Sequence, residues 1–195
     1  MILIGNEDLR VRKTVTAIQN NFIDMLIEMP YEKITVKALC ERAMINKKTF
    51  YNYYATLDEL LSEQIDEIAT EFLRRIEIYS VPQDLEKVNR EFILYAVERG
   101  KFFERIVCSE HFRYIGGRLI NRLVRQTWND SPDFRILKRG EQSLLFCFIC
   151  NVGLELYRQW IVDGKKMPIE RIIELSNELL CRGAFGFLSI IGQEQ

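Results

Sequence analysis

Apolar residues recur along this chain at three- and four-residue intervals, and no segment shows two-residue alternation bounded by turn signals. That period is helical, so the chain is expected to be all-α. Val15, Ile18, Phe22, Met25, Leu26 and Met29 give a first helix, about residues 9–29, one buried face, and Pro30-Tyr31 ends it. Val36 and Leu39 open a short apolar stripe that closes at Ala43, with Thr35 as its cap. Met44-Ile45 makes a tight turn, and Asn46 caps a second short helix reaching about Tyr54. Thr56 and Glu59 have the spacing of a capping box. They open a longer helix, about residues 57–79, with Leu61, Ile65, Ile68, Phe72 and Ile76 on one face. Asp84 is the expected cap of the next helix, which Gly100 stops. Further helices are expected over 101–112 and 113–128, a loop over 129–133, and two long closing helices over 136–162 and 169–188.

Two short helices joined by a tight turn form a helix-turn-helix unit, whose second helix can enter the DNA major groove. Lys47, Lys48, Thr49, Asn52 and Tyr53 are the residues expected to be exposed there, donors and flat rings suited to phosphates and base edges. The run Thr35 … Leu39-Cys40-Glu41-Arg42-Ala43-Met44-Ile45 … Thr49-Phe50-Tyr51-Asn52-Tyr53-Tyr54 … Asp58-Glu59-Leu60-Leu61 resembles the amino-terminal domain of the tetracycline-repressor (TetR) family. That family shows T-v-x-x-I-A-x-x-A-G-V, t-l-Y-x-x-F and K-e-x-L-L at this spacing. The resemblance covers about the first quarter to third of the chain.

The resemblance implies a three-helix DNA-binding domain over residues 1–60 and a larger helical domain over 61–195 for effector sensing and dimerisation. By the same resemblance, Lys37, Lys47, Lys48 and Asn52 face base edges or phosphates. Thr49, Tyr51 and Tyr53 hold the reading helix to the DNA backbone. Three positions depart from the pattern. Met44 stands where the turn usually has Gly, Cys40 replaces a small residue, and Leu57 replaces the Lys that opens the fourth helix.

A weaker resemblance runs over residues 153–161 and Gly164. In TetR-like regulators the last two long helices of each subunit build a four-helix bundle across a dimer interface. Gly183, Ala184 and Gly186 would let such helices approach closely. Twelve aromatic residues from Phe92 to Trp160 could enclose an apolar cavity, with Tyr95, Arg99, Glu155, Tyr157 and Arg158 as polar groups to orient a ligand. No individual ligand contact is assigned.

Composition adds exclusions. The net charge is −1, and up to Ala55 eight basic residues face six acidic ones, so DNA binding rests on local placement of charge. Five cysteines and no signal peptide point to a reducing cytoplasm. Cys147 and Cys150 have C-x-x-C spacing, but they sit in an apolar helical run and are expected to pack in the core. No apolar stretch is expected to span a membrane. With His111 as the single histidine and no phosphate loop or catalytic motif, neither an enzyme nor a metal or cofactor is expected. The expected function is a homodimeric, sequence-specific transcriptional regulator of double-stranded DNA. It would bind a palindromic operator, act mainly in repression, and answer to a small-molecule effector. The alternative is a TetR-like co-regulator that binds a protein partner and has weak or no DNA affinity.

Overall fold

The computed structural model describes residues 6–109, 127–128 and 131–193. All regular structure among them is helical, which makes the chain all-α. In order come α1 (Asn6–Glu28), a 3-10 turn (Tyr31–Lys33), α2 (Val36–Arg42), α3 (Lys47–Tyr51) and α4 (Leu57–Ile76). They are followed by α5 (Leu85–Cys108), α6 (Pro132–Arg135), α7 (Arg139–Val162) and α8 (Ile169–Gln193). The chain divides into two compact units, Met1–Asp66 and Glu67–Gln195, and the division falls inside α4.

In the first unit, α1 buries Ile18, Phe22, Met25 and Leu26, as its period demands. Leu39 and Cys40 of α2, Phe50 of α3 and Leu60 and Leu61 of α4 are buried in the same unit. Each such large side chain taken fully out of water contributes about 1.5–3 kcal/mol. Polar ties join the helices at the edge of this core. Tyr54 donates its hydroxyl to Glu63 at 2.6 Å, and Gln19 donates to the same carboxylate at 3.3 Å. Tyr31 donates to Asp58.

In the second unit, α5, α7 and α8 pack on one another. A chain of ring contacts links Phe72 to Phe92 (5.9 Å), Phe92 to Phe103 (6.2 Å), Phe103 to Tyr157 (5.8 Å) and Tyr157 to Trp160 (5.9 Å). Trp128, Phe134, Phe146, Leu180 and Ala184 belong to a further buried cluster. Asn89 of α5 is buried and donates to both Ser176 Oγ and Asn177 Oδ1 of α8 at 2.7 Å, so its desolvated amide is satisfied. The later part of α4 is tied to α5 differently. Tyr95 donates to the Ile68 carbonyl at 2.9 Å, while Arg75 pairs with Glu98 at 2.6 Å and Arg99 with Glu71. Both guanidinium groups lie over the Tyr95 ring, at 5.1 and 4.9 Å from its centre.

Several expectations need correction. Gly100, with φ 58 and ψ −142, a conformation open to glycine, stops the first helical part of α5 as expected, and the second part, expected to reach 112, ends at Cys108. Asp84 does not cap α5 with its side chain; its carboxylate turns back to accept from the Ser80 N–H (3.0 Å) and from Lys87 (2.7 Å). Within the expected loop, Pro132 opens the short α6, because proline fits the first helical position, where no N–H is needed. Asn129, Asp130, His111 and all of the expected helix over 113–128 but its last two residues, which are helical, lie outside the described residues. Cys147 is exposed and Cys150 half-buried, so neither is a core residue. Against expectation, α7 is long and apolar enough to cross a membrane by length and composition. Here it buries Leu145, Phe146, Tyr157 and Trp160 within the unit. A helix apolar around so much of its circumference does not announce its inward face by period. Ala184, expected to let helices approach across an interface, is fully buried within its own unit.

Candidate nucleic-acid interface

Local caps build the region from Thr35 to Glu59. Thr35 is extended, and its Oγ1 accepts from the Ala38 N–H at 3.2 Å, which starts α2 where expected. The chain then turns through Met44 at φ 53, where a residue bearing a side chain sits about 1–2 kcal/mol above glycine-like freedom. Met44 is 92% exposed, so no neighbour resists the turn. Asn46 starts α3: its Oδ1 accepts from the Thr49 N–H at 2.7 Å and from the Thr49 hydroxyl at 3.0 Å. Phe50 is the inward anchor of α3, fully buried and 5.8 Å from the Tyr54 ring.

The α-helix ends at Tyr51, three residues short of the expected Tyr54, and the Asn52 and Tyr54 N–H groups bond back to Lys48 and Phe50. The capping box before α4 is shifted by one residue. Glu59 N–H donates to Thr56 Oγ1 at 3.1 Å, but the Glu59 carboxylate accepts from the N–H of Ala55 at 2.6 Å. Leu57 is the first residue of α4 and is half-buried.

With Phe50 inward, Lys47, Lys48 and Asn52 are exposed, and Tyr51 is 56% exposed. Thr49 and Tyr53, expected to be exposed, are half-buried. The Thr49 hydroxyl proton is given to Asn46, so a phosphate contact from that hydroxyl would compete with the cap. Lys37, in the first turn of α2, has an exposed side chain 3.9 Å from Glu41, a pairing that water weakens. Among the described residues neither Lys47 nor Lys48 is paired with a carboxylate.

Arg42 shows the contrast. Its guanidinium grips Glu28 through two bonds at 2.5 and 2.7 Å and lies 3.9 Å from Asp24. That hydrogen bonding holds the Glu28 carboxyl below its ordinary range. Arg42 is therefore a clasp between α1 and α2. Sequence reading missed the clasp because its partners lie fourteen residues apart with no local signal.

No family model matches the chain. Over 78 residues, 40% of the chain, it is 35% identical to YxbF, an uncharacterized HTH-type transcriptional regulator of Bacillus subtilis strain 168. The match spans about a fifth (20%) of that relative's length. Solved structures extend the comparison to about nine-tenths of the chain. A TetR transcriptional regulator from Streptococcus agalactiae superposes with a TM-score of 0.69 and 20% identity, over 89% of this chain and 97% of that one.

The chain has the TetR fold.

NalD, the secondary repressor of the MexAB-OprM multidrug efflux pump in Pseudomonas aeruginosa, shares this fold at a TM-score of 0.64 and 14% identity, over 88% and 97% of the two chains. So does DhaS, a dihydroxyacetone kinase operon activator, at a TM-score of 0.55 and 21% identity over 88% and 96%. The TetR fold thus holds both a repressor and an activator. In this chain it brings Lys37, Lys47, Lys48, Tyr51 and Asn52 to exposed positions of the helix-turn-helix.

Proposed function

We propose that this chain is a non-enzymatic, sequence-specific DNA-binding transcriptional regulator of the cytoplasm, working as a homodimer on a palindromic operator. The observation that carries the reading is α3: capped by Asn46, anchored by Phe50, and presenting two unpaired lysines with Asn52 beside them. Lys37, Lys47, Lys48 and Asn52 read base edges or phosphates, and Thr49, Tyr51 and Tyr53 steady the helix on the DNA backbone. Repression is the proposed direction. A small molecule bound in the second unit controls it by favouring one arrangement of the dimer over another. Of the polar groups of the aromatic region, Tyr95 donates to Ile68, Arg99 pairs with Glu71, and Arg158 donates to the Val107 carbonyl and pairs with Glu155. Among the described residues the buried Tyr157 hydroxyl and Arg158 Nη2 have no hydrogen-bond partner, and these are the groups there open to a ligand.

The second reading, a co-regulator that binds a protein, is favoured by Leu57, which offers no cation where the family's anchor stands. One experiment separates them. Genomic fragments retained by the purified protein are sequenced, and their affinity is measured across salt. Enrichment of a palindrome, with log K falling linearly in log salt, is expected from counterion release. Unenriched fragments, together with salt-insensitive capture of a protein, would establish the co-regulator instead.

A further inference from the structure

We propose that the second unit carries a binding site for a small uncharged polyol or sugar, in a cavity beside the last turns of α4. The cavity has a volume of about 570 Å³, within the usual size of small-molecule sites, and none of the stacked aromatic rings lines it. Among the described residues its wall carries one cation, Arg74, and one anion, Glu77, three residues apart and so on one face of α4. Neither makes an ion pair among the described residues. A ligand with net charge would be drawn by one of these groups and opposed by the other. An uncharged molecule dense in hydroxyls accepts from the guanidinium and donates to the carboxylate at once.

A second observation points the same way. Ser131 lines the cavity and is 5% exposed, and its Oγ has no hydrogen-bond partner. A buried hydroxyl left unpaired is costly, and a ligand hydroxyl supplies the missing partner. Leu73, Ile76 and Val81 add an apolar surface that fits the C–H face of a sugar ring.

The site rests on the regulator reading only for its consequence, that a ligand here bears on α4, the helix that begins at Leu57 beside the helix-turn-helix. Its existence is tested without DNA. Calorimetry on the full chain uses glucose, maltose, trehalose and mannitol, with glutamate and putrescine as charged comparators. At least one neutral compound is expected to bind with a Kd of about 1 mM or tighter, and the charged pair more weakly. Thr70→Trp, an exposed lining position, should fill the cavity and weaken binding by about tenfold or more. Ser131→Ala should weaken it about two- to tenfold, the loss of one neutral hydrogen bond, and it decides the matter if Thr70→Trp does not fold. The proposal is overturned if no neutral compound binds, if a charged comparator binds more tightly, or if the folded variants bind as the wild type does. Binding of sugar without DNA sinks the regulator reading alone; binding of DNA without sugar sinks this site alone.

Discussion

Lys47 and Lys48 differ from Arg42 in surroundings, since all three carry the same charge within a few residues of one another. Arg42 is held by Glu28 and Asp24, whereas the two lysines are exposed and have no carboxylate partner among the described residues. Replacing Lys47 or Lys48 with Ala should therefore lower the salt dependence of operator binding, by about one unit of slope for each phosphate that the lysine neutralises. An unchanged slope and affinity in the double variant would show that α3 is not the reading helix. At Met44 the left-handed backbone is held by an exposed side chain with no packing to lose. Met44→Gly is expected to raise stability by about 0.5–1 kcal/mol, measured by urea unfolding, because the relief of strain exceeds glycine's extra entropy in the unfolded chain. Thr35, Asn46 and the turn at Met44 were legible in the sequence because each acts on neighbours within a few residues. The Arg42 clasp and the Tyr54–Glu63–Gln19 tie were not, since their partners meet only after the helices have packed.

Among the α-helices of the first unit, α3 is the least self-sufficient. Five residues are far below the length at which a helix holds itself together in water, so its order comes from Asn46 and Phe50. Asn46→Ala should cost about 1 kcal/mol of unfolding free energy and weaken operator binding, with α3 as the first segment to lose amide protection, readable by hydrogen exchange. Helix positions were legible throughout the amphipathic segments, where the apolar stripe is narrow. The inward face of α7 was not, because apolar residues surround it; hence Cys147 emerges on the outside. On α8, exposed Leu179, Phe185 and Ile190 contrast with the buried Ile172, Ile173, Leu180 and Ala184. A Cβ at Gly183 would meet the tip of the Phe148 ring at 2.4 Å, so a side chain there requires that ring to move within the same chain.

For the molecule as a whole, the exposed apolar residues of α8 are the sharper probe of the proposed dimer, since substituting Ala184 would damage the unit itself. Leu179→Lys combined with Ile190→Lys should shift sedimentation at micromolar concentration from dimer to monomer while leaving the helical circular dichroism unchanged. A wild type that sediments as a monomer would end the dimer proposal. Alkaline stability follows from buried acids. Burial pushes Cys181 up to about 11 from 9.0 and Tyr95 up to about 12 from 10.0. Above pH 9 the unfolded chain then releases protons that the folded chain keeps, and buried Tyr31 and Tyr157 are pushed up further still, so stability should fall steadily from about pH 9 upward. Urea midpoints taken between pH 8 and 11 would show the decline. The two kinds of tie within the second unit also answer differently to ions. The bond of Asn89 to α8 is buried and uncharged, whereas Glu71–Arg99 and Arg75–Glu98, which attach α4 to α5, stand partly in solvent. Dissolved salt screens the second kind and spares the first. Ionic strength is then itself an input to this protein, weakening the charged part of the hold of α5 on α4 while the Tyr95–Ile68 bond and the Phe72–Phe92 contact remain. The slope of operator affinity against salt would exceed what its phosphate contacts alone account for, and the excess would measure how firmly α4 is held.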